Sequence, residues 1–193
     1  MIPALVFDPF NAPLYIITMR LSQGFAPVAH ADARILILGS MPGVASLDAN
    51  QYYAFARNAF WRIMGDLYHA GPELNYHLRL QILTSNQIAL WDVIQACRRA
   101  GSLDSAIADD GLISNDFNGF FERHPHVRQV YFNGQKAAKL FKKRVLPGLP
   151  GAFECVTLPS TSPAHAASSY ADKLAAWSVI RGGGPARIQC PGC

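Results

Sequence analysis

From Gln51 to Trp61 the chain reads QYYAFARNAFW, which sets Tyr52, Tyr53, Phe55, Phe60 and Trp61 around one arginine, Arg57, and one amide, Asn58. Phe60 and Trp61 open a stretch with helical apolar spacing, so a hydrophobic core accounts for them. Tyr52, Tyr53, Arg57 and Asn58 precede that stretch, in a segment with no apolar period, and a core accounts for them less well. A flat aromatic surface beside an amide is what a nucleobase requires: a ring to stack on, and a donor and acceptor to read its edge.

Just upstream, ILILGSMPG carries an apolar run into a turn. Gly39 and Gly43 permit close backbone approach and Pro42 fixes the bend, so Ser40, Met41 and their neighbours either present amide groups to a ligand or simply reverse the chain. The turn lacks the Lys-Ser/Thr of a phosphate-cradling loop and the G-x-G-x-x-G of a dinucleotide turn. Neither nucleotide hydrolysis nor nicotinamide chemistry has support.

These residues need a scaffold that brings them together. Four short apolar runs, at 34–38, 88–93, 127–132 and 153–158, read as strands covered on both faces, because their apolar residues are continuous and do not alternate. Helical spacing falls between them. The run 58–69 repeats apolar residues at Phe60, Ile63, Met64 and Leu67, and 74–83 is similar. Ser114 and Asn115 offer a cap before Phe117, Phe120 and Phe121, with Pro125 ending that helix. A helix from 135 to about 145 carries Lys136, Lys139, Lys142, Lys143 and Arg144, either a phosphate-facing stripe or a solvated face. The last helix, 170–180, has Ser169 as cap and Asp172 three residues later.

Strand and helix thus alternate, which predicts a three-layer α/β/α sandwich around a short, four-stranded parallel sheet. Ligands of such sheets bind at the carboxyl ends of the strands. Each expected strand ends there in polar or turn chemistry: GSMPG, then Trp91-Asp92, then Asn133-Gly134, then PSTSP from Pro159. Asp92 is a candidate for the base edge or a structural carboxylate, and Asn133 a substrate contact or a turn residue. Ser160, Thr161 and Ser162 offer hydroxyls and amides to a phosphate, or cap a helix-entry loop.

With 193 residues, half of them apolar, the chain is long enough for one substantial core. No apolar run approaches the roughly 20 residues of a bilayer span, and residues 1–18 lack the features of a signal peptide, so a cytoplasmic protein is expected. Met19 offers an alternative start. The net charge of +4 favours a polyanionic partner. Cys97, Cys155, Cys190 and Cys193 do not form a disulfide framework; CPGC has metal-ligand spacing, but Cys97 and Cys155 fall in expected core elements, and no metal is expected.

GSMPGVASLDANQYYAFARNAFW, with ALWDVI, FNG and LPSTSPAHA, resembles the uracil-DNA glycosylase superfamily, and within it the hypoxanthine-DNA (deoxyinosine) glycosylase family. The similarity runs from about Gly24 to Ile180. It implies one glycosylase domain over 24–181, with an extension at 1–23 and a loose tail at 182–193. It further implies a monofunctional, cofactor-free hydrolase that flips a deaminated base from DNA and works as a monomer.

By position, the third residue of GSMPG is commonly an Asp or Asn that positions the attacking water. Here it is Met41, whose thioether cannot do so. The resemblance to the hypoxanthine branch moves that role to the Asn of RN-x-FW, which is Asn58. An amide is no general base at neutral pH, so Asn58 would hold water or the base by hydrogen bonds. Tyr53 matches the stacking aromatic, and Gly39, Ser40, Met41, Pro42, Gly43, Phe60, Asp92 and Asn133 complete the implied base site. LPSTSP matches the second motif, where uracil-specific members have a His at the position of Leu158. Ser160, Thr161, Ser162 and His165 become the implied phosphate contacts, His165 lying too far along to replace that His. The family's usual His-Pro is here Phe55-Ala56. A uracil-preferring enzyme of the same fold, or a DNA binder without catalysis, are the competing readings.

Overall fold

The computed structural model describes residues 21–98, 111–165 and 167–182. Its strands are β1 (Leu21–Gln23), β2 (Ile35–Gly39), β3 (Ile88–Asp92), β4 (Ile94–Arg98), β5 (Ile113–Ser114), β6 (Gln129–Asn133) and β7 (Glu154–Leu158). Its helices are α1 (Val44–Ala49), α2 (Phe60–Tyr68), α3 (Tyr76–Ser85), α4 (Phe117–Arg123), α5 (Gln135–Arg144) and α6 (Tyr170–Trp177). A 3-10 turn, Ser178–Arg181, extends α6.

The four apolar runs form one parallel sheet in the order β3-β2-β6-β7. Its strands are buried because each face carries its own core, as a parallel sheet requires. Leu36 and Leu38 of β2 pack toward Phe117 and Phe120 of α4 and Ala137 and Phe141 of α5. Ile37, pointing the other way, packs with Phe60, Ile63 and Met64 of α2, Leu83 of α3 and Trp177 of α6. Burying each such Leu, Ile or Phe contributes about 1.5–3 kcal/mol, so the alternation along β2 fixes both layers.

Several features depart from the sequence reading. The third strand starts at Gln129, two residues late, because Val127 N donates to His124 O and so belongs to the preceding turn. α3 buries only Leu83, not a full face, because it lies beside the edge strand β3. Asp116, not Ser114 or Asn115, caps α4 by accepting from Gly119 N at 3.0 Å. Asn115 instead donates to Asp92 O at 2.8 Å. The capping box at α6 forms as expected, with Ser169 and Asp172 reciprocating.

A small antiparallel sheet, β1-β4-β5, was not expected, nor was α1. β1 pairs with β4 from Leu21 to Gln23, so the ordered fold includes residues before Gly24. The basic stripe on α5 begins at the carboxyl edge and ends a helix length away, where Lys142, Lys143 and Arg144 occupy the last turn and complement the helix dipole. Among the described residues no helix is long and apolar enough to cross a membrane.

Candidate functional site

In the order β3-β2-β6-β7 the chain leaves β2 for one neighbour and later returns to the other side, so the sheet has its switch point between β2 and β6. A cavity of about 720 Å³ opens there. Gly39, Ser40 and Asn133 lie at the strand ends, Tyr53, Phe55 and Asn58 on one side, and the loop from Ser160 to His165 on the other.

Tyr53 is the best-defined wall. Its ring stacks on Phe60 with centroids 4.0 Å apart and planes at 25°. Its φ is +55°, a left-handed conformation that a bulky residue adopts at a cost of order 1–3 kcal/mol. Neighbouring bonds hold it there. Tyr52 O accepts from Trp61 Nε1 at 2.8 Å, Tyr52 N donates to Tyr76 Oη at 2.9 Å, and Ala54 N donates to Ser46 Oγ at 3.2 Å. Behind the ring there is no spare space: a Cβ on Gly39 would run into Asp92 Oδ1 and come within 3.0 Å of Tyr53 Oη.

Asn58 sits at the entrance to α2. Its Oδ1 accepts from Phe60 N at 3.0 Å, which orients the side-chain amide, and its backbone N–H donates to Phe55 O at 2.8 Å, which holds the backbone beneath it. Its Nδ2 has no protein partner among the described residues and is the group left to donate into the cavity. The opposite loop is tied to this entrance, since Ala59 N donates to Thr161 O at 3.0 Å.

That loop is anchored from below. Asn133 Nδ2 donates to Thr161 Oγ1 at 2.9 Å, and Thr161 N donates to Asn133 Oδ1 at 2.8 Å. Gly134, with φ +95°, follows immediately; a side chain there would meet Ser160 Cβ at 2.9 Å, so strand end and loop can touch only because the residue is glycine. Trp177 Nε1 donates to Pro159 O at 3.0 Å. Lys173, only 6% exposed, donates to Ser162 O at 3.4 Å, and burial lowers its pKa.

Of the residues singled out in the sequence, Gly39, Ser40, Gly43, Tyr53, Asn58 and Asn133 line the cavity, as do Ser160, Thr161, Ser162 and His165. Four others do not. Met41 is buried in the core, where Cys97 Sγ donates to its sulfur at 2.9 Å, and Pro42 is buried beside it. Phe60 is fully buried behind Tyr53, and Asp92 is buried under Gly39. Tyr52 is a core residue after all, 3% exposed, with Oη donating to Ala26 O at 3.2 Å; burial raises its phenol pKa. Phe55, Arg57, Ala45, Ser46, Pro163 and Ala164 line the cavity without having been picked out for it. Phe55 and Arg57 stood in the aromatic cluster, whereas Ser46 gave no signal. Among the described residues no group of three or more His, Cys, Asp or Glu is arranged to hold a metal ion; Cys190 and Cys193 lie outside them.

An aromatic wall beside an amide, in a cavity at the switch point of a parallel α/β sheet, suits a base taken into a pocket. The chain belongs to the uracil DNA glycosylase superfamily, whose sequence model matches residues 26–181. A hypoxanthine DNA glycosylase of Methanosarcina acetivorans is 40% identical over 149 residues, which are 75% of this chain and 89% of that one. A hypoxanthine DNA glycosylase of Methanosarcina barkeri is 41% identical over 120 residues, 61% of this chain and 73% of the relative. Among solved structures, the solution NMR structure of a Methanosarcina acetivorans protein proposed as a uracil DNA glycosylase matches with a TM-score of 0.69 and 35% identity. It covers 84% of this chain and 98% of that one.

Proposed function

We propose that the protein is a DNA repair glycosylase that releases hypoxanthine from deoxyinosine and leaves an abasic site. Tyr53 and Asn58, which both line the switch-point cavity, carry this reading; the 40% identity to a hypoxanthine DNA glycosylase supports the choice of base. The match over 26–181 supports a single catalytic domain.

The nucleotide swings out of the duplex, at a cost of a few kcal/mol that is smallest for a weakly paired lesion. Its base lies on Tyr53. The N-glycosidic bond breaks with its electron pair going to the base, which leaves as hypoxanthine after gaining a proton, and water adds to C1′ of the sugar. Asn58 Nδ2 donates to the water or to the departing base, stabilising charge as it separates. Ser160, Ser162 and His165 form the rim that faces the DNA phosphates, and Thr161, expected there from the sequence, is instead buried and tied to Asn133, so it positions the loop. Among the described residues no lysine lines the cavity, and Lys173 is turned to a backbone carbonyl, so the product is an intact strand with an abasic site, without Schiff-base strand cleavage.

Two duplexes test this, one with a single deoxyinosine and one with a single deoxyuridine, each scored for alkali-labile sites. Faster release at inosine is the expected outcome. Faster release at uridine would assign the chain to uracil, and no release from either would leave a binder without this chemistry.

A further inference from the structure

A second cavity, of about 340 Å³, lies on the other face of the segment that walls the base site, and Tyr53, Phe55, Arg57 and Asn58 line both. Among the described residues three arginines border this second space, Arg57, Arg62 and Arg79, and no carboxylate does. Each guanidinium is laid on an aromatic ring: Arg57 over Phe55 at 5.3 Å, Arg62 over Tyr170 at 3.7 Å, and Arg79 over Trp61 at 4.8 Å. Stacking occupies the planar faces and leaves the in-plane N–H edges to donate.

Ion pairing does not explain the arrangement, although the Tyr170 hydroxyl is a polar partner of Arg62. None of the three makes an ion pair within 4.0 Å among the described residues. Neither Asp66 nor Glu73 lines the cavity. Asp66 accepts from Tyr170 Oη at 2.6 Å and Glu73 acts on Arg79 only through space. Arg79 Nε is buried and has no acceptor among the described residues, so contact with a ligand falls to the terminal amines of the guanidinium. Burial also lowers the Arg79 pKa.

We propose that this cavity is a phosphate site, in which Arg57, Arg62 and Arg79 grip a phosphodiester of the DNA strand next to the flipped nucleotide. The assignment rests on DNA being the substrate. Three ring-stacked guanidiniums bordering one cavity match the charge and oxygens of a phosphate. Sharing Tyr53 to Asn58 with the base site couples the two, so that a phosphate held on one side of the segment helps to fix the wall on the other.

The test uses a duplex bearing a tetrahydrofuran abasic analogue, titrated against salt with the unaltered chain, with Arg62→Gln, and with Arg62→Gln combined with Arg79→Gln. We expect the double variant to bind about tenfold more weakly, with a log–log salt slope shallower by about one. Arg62 is exposed on α2, so its single variant keeps the fold and is expected to show a smaller shift in the same direction. A methylphosphonate at the contacted phosphate should weaken the unaltered protein and not the double variant. Unchanged affinity and slope, in variants that still release hypoxanthine, would overturn the phosphate site and leave the proposed function standing. Failure of the unaltered protein to bind the duplex would overturn both. Saturable binding of inorganic phosphate that the duplex does not displace would reassign the cavity to a free anion and overturn the DNA assignment.

Discussion

Asn133, at the end of β6, and Thr161, in the loop after β7, exchange two hydrogen bonds, of 2.9 and 2.8 Å, beneath the base cavity. Both residues are buried, so the pair holds two strand ends at one spacing where water cannot substitute. Asn133→Ala leaves the Thr161 N–H and hydroxyl without partners and is expected to destabilise the fold by about 2–4 kcal/mol. Loosening the loop should also slow base release by about 10- to 100-fold. Thr161→Val keeps the backbone bond and should cost about half as much in stability. Urea unfolding with single-turnover assays on the same samples measures both.

Gly39 faces a different constraint, because Asp92 Oδ1 and Tyr53 Oη already fill the space its side chain would take. Gly39→Ala should push Tyr53 from its place, with a stability loss of about 1–3 kcal/mol and base release slowed by about 100-fold. Gly148→Ala is the control, since nothing lies within 4 Å of a Cβ there. It should leave release unchanged and stability level or raised by up to about 1 kcal/mol.

Tyr53 holds a left-handed backbone at φ +55°. Replacing it separates ring from strain. Tyr53→Ala and Tyr53→Gly both remove the stacking surface and should slow base release by about 10- to 100-fold. The glycine variant should nevertheless be the more stable by about 1 kcal/mol, since only alanine meets the left-handed penalty. Thermal melts of the two variants side by side decide it; equal stabilities would show that the loop relaxes once the ring is gone.

The central sheet was legible because a strand covered on both faces must be apolar throughout, as Ile35 to Leu38 and Ile88 to Trp91 are. β1 and β5 were not, being three and two residues long and defined only by pairing with β4. At the site, residue types placed the aromatic and amide cluster at the strand edge, and motif resemblance named Tyr53 and Asn58. Neither showed which side chains face the cavity. Met41 and Asp92 sit in motifs at the edge yet turn into the core, because Gly39 leaves room beneath it that Asp92 occupies. The positive φ of Tyr53 lacks the Gly or Asn that ordinarily signals one. The Asn133–Thr161 pair joins residues 28 apart, a relation set by tertiary packing alone.

The account stands or falls on Asn58, whose Oδ1 is committed to Phe60 N and whose Nδ2 is left for the cavity. The decisive measurement is single-turnover release of hypoxanthine by Asn58→Ala at saturating enzyme, paired with its affinity for the tetrahydrofuran duplex. The rate is expected to fall by about 100- to 1,000-fold, the loss typical of one donor to a developing charge, while affinity changes by less than about threefold. A rate within a few-fold of the unaltered protein would contradict the assignment and place the catalytic contact elsewhere in the cavity.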